Sequence, residues 1–187
     1  MVTNDPLGLL DRAVSQTGAI VARVRPEQAG LPTPCSEFDV RQLVNHMVYD
    51  VQTFTTMVTG AERGSPDVDL IGDDWVAAYQ AATMGLMDAW RARGADGTMK
   101  LGRLGELPAA WAVGQHYADI AQHGWDVARA TGQSTDLDPE LGQAALDWAQ
   151  QSLKPEYRGQ AFAPEVAAPE SAPVYDKLAA FFGRRID

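Results

Sequence analysis

The chain has one cysteine, Cys35, and only three histidines in 187 residues. A lone cysteine excludes an intrachain disulfide framework and suits a reducing cytoplasm. It also excludes a cysteine-rich structural zinc site. Positive charge is scarce: 15 lysines and arginines stand against 25 acidic residues, a net charge of −10. Nucleic acid and anionic membrane surfaces both reward basic patches, so neither is expected as a partner. Long apolar runs are missing as well. No stretch approaches the roughly 20 residues of a membrane helix. The N-terminus, MVTNDPLGLLDRAV, lacks the basic-then-apolar pattern of a signal peptide. No glycine-rich phosphate loop follows a strand pattern, which leaves nucleotide binding by that route unsupported. The expectation is a cytoplasmic, single-domain protein over 1–187, with 45% hydrophobic residues to build its core.

What is present is helical periodicity. Asn4 or Asp5 caps a first helix, with Pro6 at its first position and apolar residues every three or four until Pro26. A second helix starts near Asp39 and stops around Gly60. A third is predicted over Leu70–Arg93. Gly94–Leu107 reads as a long loop with a short strand around Thr98–Leu101. Pro108 opens a fourth helix that Gly132 closes. Asp138 caps a fifth, with Pro139 at its first position, running to about Leu153. Lys154–Pro173 is irregular, with four prolines and Phe162, and Val174–Gly183 is a last short helix. The fold class is therefore all-α, a four-helix bundle with additional short C-terminal helices.

The chemistry gathers in the fourth helix, in QHYADIAQHGWDVARATG at 115–132. His116, Asp119 and His123 share one face at 3.6 residues per turn, and Asp126 extends the stripe. Asp119 and His123, four apart, can reach one ion from successive turns. His46 lies in the second helix, on a polar line with Gln42, Asp50 and Thr53. If the two helices pack together, His46, Asp119 and His123 close a metal site. Two imidazoles and a carboxylate suit zinc first, with nickel or iron as alternatives, and leave a coordination position open. Asp50 and Asp126 are candidates to orient the imidazoles from outside the coordination sphere. By spacing alone, the same residues also fit an ordinary boundary between core and solvent.

Three segments carry a resemblance: LPTPCSEFDVRQLVNHMV at 31–48, DIAQHGWDVARATGQ at 119–133 and YDKLAAFFGRRID at 175–187. Together they resemble the metal-binding domain of the mycothiol-dependent maleylpyruvate isomerase family, within the DinB-like superfamily. The resemblance extends to an actinobacterial subgroup of metal-binding proteins of about this length. It implies a four-helix bundle holding one divalent ion through His46, Asp119 and His123. The isomerase itself uses a glutamate where this chain has the shorter Asp119, and carries a second domain after its bundle. Maleylpyruvate isomerisation is therefore not carried over. His116 is outside the family trio and is left as an extra ligand, a pocket residue or a rim residue.

Other side chains complete the expectations. Cys35 precedes a helix N-terminus, where a nucleophile is conceivable, but no base is paired with it, and a small buried hydrophobe is the preferred reading. The five tryptophans read as core packing. Arg129 is a candidate contact for an anionic substrate group, and Arg184 and Arg185 could complement the dipole of the last helix. The leading functional expectation is a metal-dependent, mycothiol-type transferase or isomerase-like enzyme. A small-molecule thiol and an electrophilic substrate are its partners, and no catalytic residue is assigned. The alternatives are a non-catalytic metal-binding or stress-response module, and an interaction protein. A homodimer remains open.

Overall fold

The computed structural model describes residues 5–66, 68–154, 158 and 163–186. Asn4 and Phe162 lie outside the described residues. Helix α1, Pro6–Val21, starts where Asp5 accepts a hydrogen bond from the Leu7 amide at 3.3 Å. It ends earlier than the periodicity suggests, and a short 3₁₀ turn at Pro26–Gln28 follows. Helix α2, Val40–Thr59, opens with a reciprocal cap. The Asp39 side chain accepts from the Gln42 amide at 2.8 Å, and Gln42 Oε1 accepts from the Asp39 amide at 3.0 Å.

Helix α3 spans Trp75–Arg93, five residues short of the predicted start. Leu70–Asp74 is held in a turn instead. Asn45 Oδ1 takes the Leu70 amide at 2.7 Å, and Asp69 Oδ1 takes the amides of Ile71 and Gly72. Asp74 then caps the helix by accepting from the Ala77 amide at 2.9 Å. The expected strand at 98–101 finds a partner: β1, Thr98–Lys100, pairs antiparallel with β2, Glu106–Pro108. Pro108 thus ends a strand, and helix α4 begins one residue later, at Ala109–Ala130. Gly132 follows it with φ +69°, the left-handed closure that glycine adopts without strain. Helix α5, Pro139–Ser152, and helix α6, Val174–Phe181, complete the chain.

Helices α1, α2, α3 and α4 pack as a four-helix bundle, and α5 and α6 cover the other side of α4. Helix α4 therefore has neighbours all round. From Ala112 to Ala128 only Gln115 and Asp119 are not fully buried, the pattern of a central helix. Glycine makes the close packing possible at two positions. A β-carbon at Gly124 would collide with the Thr17 hydroxyl of α1, and one at Gly114 with the Trp148 indole of α5. Trp90, Trp125 and Tyr79 are the largest side chains in the buried interior. The all-α bundle is as the periodicity predicts. Among the described residues, no helix is long and apolar enough to cross a membrane.

Candidate metal centre

Two aromatic contacts fix how α2 and α4 run past each other. The His46 ring meets the His123 ring edge-on, with centroids 5.3 Å apart. Further along α2, Phe54 stacks on His116 at 4.0 Å. Forward along α2 is backward along α4, so the helices are antiparallel. His46, Asp119 and His123 consequently line one cavity of about 510 Å³. Cys35, Phe38 and Arg184 stand around it. Phe38 stacks on His46 at 4.7 Å. A second groove, of about 690 Å³, also borders His46 and is lined by Tyr49, Asp50 and Arg63.

The ring nitrogens are unequally engaged. His123 Nδ1 lies 3.2 Å from Asp126 Oδ2, and His123 Nε2 lies 3.7 Å from Asp119 Oδ1. His46 Nε2 lies 3.0 Å from Asp50 Oδ2. Asp126 is fully buried and also receives the Arg184 guanidinium at 3.2 and 3.4 Å. Gln122 Nε2 donates to Asp126 Oδ1 at 3.3 Å. One carboxylate thus ties together an imidazole, an amide and a guanidinium.

The electrostatics follow from burial and from crowded carboxylates. Withdrawal from water, and then the His123 and Arg184 charges, lower the His46 pKa to about 4, so its ring is neutral at pH 7. Burial resists a charge on His123, but Asp119 and the Asp126 hydrogen bond outweigh it and raise its pKa. Burial, and then the Asp119 charge, raise Asp50 to about 8. Asp119 is raised mainly by burial. Buried, crowded carboxyls thus resist ionisation, and a bound cation would favour their charged form.

The donor chemistry fits a divalent ion. Ligand atoms of His46, Asp50 and His123 all lie within 4.8 Å of one another. Bonds of about 2.0–2.2 Å separate the ligands of one ion by roughly 3–4.4 Å, so small side-chain adjustments suffice. Asp119 Oδ1 lies 3.7 Å from His123 Nε2, outside that close group.

Two expected site residues lie elsewhere. His116 is fully buried and is not among the residues lining the cavity. Its ring stacks on Phe54, and its Nδ1 accepts from Trp90 Nε1 at 3.1 Å, so it belongs to the bundle core. Arg129 is exposed. It lies over the Trp125 ring at 5.9 Å and donates to the Ile186 carbonyl at 3.2 Å. The cation at the cavity is instead Arg184, whose side chain turns back onto Asp126. Cys35 is half-buried, packed against the hydrophobic core and lining the cavity wall. Sequence reasoning also missed Gln122. That side chain lines the cavity and is 2% exposed, and its Oε1 has no hydrogen-bond partner. Its place beside His123 on the polar stripe was the available signal.

Comparison with known proteins bears on the whole site. Residues 10–128, from α1 to the end of the polar stripe in α4, match the mycothiol maleylpyruvate isomerase N-terminal domain. Two proteins of Mycobacterium tuberculosis described as uncharacterized, from strains CDC 1551 and H37Rv, are each 40% identical to the chain over 186 residues. Those alignments cover 97% of this chain and 99% of each relative. No solved structure gives a significant match. The chain belongs to the family of the mycothiol maleylpyruvate isomerase N-terminal domain.

Proposed function

We propose that the protein is a cytoplasmic, divalent-metal-dependent enzyme of the thiol-transfer kind. It binds a low-molecular-weight thiol of the mycothiol type and presents it to an electrophilic small molecule. The observation that carries this reading is the convergence of His46, Asp119 and His123 on one cavity of small-molecule size. The family name, with its mycothiol-dependent isomerase, supports the choice of thiol.

In this reading His46, Asp119 and His123 hold the ion, and Asp126 fixes the His123 ring through Nδ1. The ion, when bound, supplies Lewis acidity that favours a thiolate over a thiol. The chain's own side chains shape the rest. Gln122 Oε1 offers a buried, unpartnered acceptor to an N–H or O–H of the ligand. Arg184 places positive charge on the wall, and Phe38 shields His46 from water on one face.

The test is elemental analysis of tag-free protein beside its His46→Ala variant, followed by calorimetric titration of the metal-loaded protein with mycothiol. Near-stoichiometric metal that is lost in the variant, together with mycothiol binding, supports the reading. A full metal complement in His46→Ala refutes the site. Metal without thiol binding or turnover would make the protein a metal-binding module.

A further inference from the structure

The two aspartates expected to orient the histidines touch different kinds of ring nitrogen. Asp126 sits on Nδ1 of His123 at 3.2 Å, while Nε2 of that ring faces Asp119. That is how an orienting carboxylate behaves: it holds one nitrogen and leaves the other for the ion. Asp50 is placed otherwise. Its Oδ2 lies 3.0 Å from His46 Nε2. A carboxylate that only orients His46 would stand beyond that ring, away from His123. Instead the ligand atoms of Asp50, His46 and His123 all fall within 4.8 Å of one another. A separation of 3.0 Å is also about what two bonds of roughly 2.1 Å make when they meet at a right angle on one ion.

We propose that Asp50 is itself a metal ligand. With His46, Asp119 and His123 it forms a site of two imidazoles and two carboxylates. This deepens the metal reading above and rests on it. Two carboxylates balance the charge of a divalent ion. Four protein donors of mixed nitrogen and oxygen character suit a six-coordinate ion of the ferrous or manganese class and leave two positions for a ligand. The donors come from adjacent turns of two antiparallel helices, with i, i+4 pairs His46–Asp50 on α2 and Asp119–His123 on α4. The second cluster of ligand-type side chains, Cys35 with His123 and Asp126, does not compete. Its Asp126 is committed to Arg184.

The experiment loads the full chain with Co²⁺ and with Mn²⁺, in wild type and in the variants Asp50→Asn, Asp50→Ala, Asp126→Asn and His46→Ala. Circular dichroism checks each fold. Visible absorption reports the Co²⁺ coordination number, weak for six-coordinate and strong for tetrahedral. Mn²⁺ affinity is read by electron paramagnetic resonance of the free ion. The expected result is weak, six-coordinate Co²⁺ absorption in wild type that changes in both Asp50 variants. Mn²⁺ affinity should fall more than about 100-fold on loss of Asp50, beyond the roughly 10–100-fold of an outer residue such as Asp126. Unchanged Co²⁺ spectra and affinity within tenfold in the Asp50 variants, with binding abolished in His46→Ala, would overturn the proposal and leave the metal reading standing. No binding in wild type would overturn both. Should Asp50→Ala fail to fold, the near-isosteric Asp50→Asn decides.

Discussion

Nδ1 of His123 lies 3.2 Å from Oδ2 of Asp126, and this contact decides which nitrogen of the ring faces the cavity. The same carboxylate is fully buried and neutralised by Arg184, whose side chain is 13% exposed. Removing the cation leaves a buried negative charge with only an imidazole and an amide for partners. Arg184→Met is expected to cost up to about 3–5 kcal/mol, the range for breaking one side of a buried pair. Chemical denaturation of wild type and variant measures it, and an unchanged midpoint would show that water or His123 already compensates Asp126.

Gly124 is where α4 meets α1. A methyl group there runs into the Thr17 hydroxyl, which donates to the Ile120 carbonyl at 3.1 Å. Gly124→Ala should destabilise the fold by about 1–3 kcal/mol despite the better helix propensity of alanine. Thr17→Ala in the same chain should recover part of that loss. A double-mutant cycle of urea midpoints gives the coupling, and additive losses would count against a direct clash.

His116 gives the apo protein an acid-sensitive core. Trp90 donates to its Nδ1, so the neutral ring carries its proton on Nε2, and that buried atom has no partner. Burial lowers its pKa to about 3. The unfolded chain takes up this proton below about pH 6.5, whereas the folded chain refuses it until about pH 3. The stabilisation is complete above the unfolded value and is lost as pH falls through that window. His116→Gln, which cannot titrate, should flatten the slope of stability against pH by up to one proton between those limits. Urea midpoints of metal-free protein across the range test this, and identical slopes would refute it.

Cys35 should be a slow nucleophile although it lines the cavity. Burial raises its pKa to about 11, with Arg184 opposing the rise. At pH 8 roughly one molecule in a thousand then carries the thiolate. Alkylation by iodoacetamide should be far slower than for a free thiol and should accelerate with pH beyond 9. Rapid modification at pH 7 would contradict this.

Much of the architecture was legible because helix caps and periodicity are local. Asp5, Asp39 and Asp138 each cap the helix that the pattern placed after them. The start of α3 was misread because Leu70 and Ile71 are apolar, yet Asn45 and Asp69 hold their backbone in a turn. His116 shows the limit for the site. Periodicity gives the direction a side chain takes around a helix but not its height. Seven residues place His116 about 10 Å along the axis from His123, beside Phe54 rather than His46. Arg184 had no local signal at all, since it reaches Asp126 from 58 residues away.

The cavity is made by two kinds of chain. Its floor of His46, Asp119, Gln122 and His123 belongs to α2 and α4, where one inserted residue would turn every later side chain by about 100°. Its walls come from irregular stretches, Pro34–Phe38, Ala163–Pro164 and Phe182–Arg184. Those can lengthen or change composition while the histidines stay in register. Apart from Arg184, which also anchors Asp126, and Phe182, which packs into the core, the walls can therefore vary without disturbing the histidines. A designer exchanging these segments between relatives would reshape the mouth of the cavity and keep its floor.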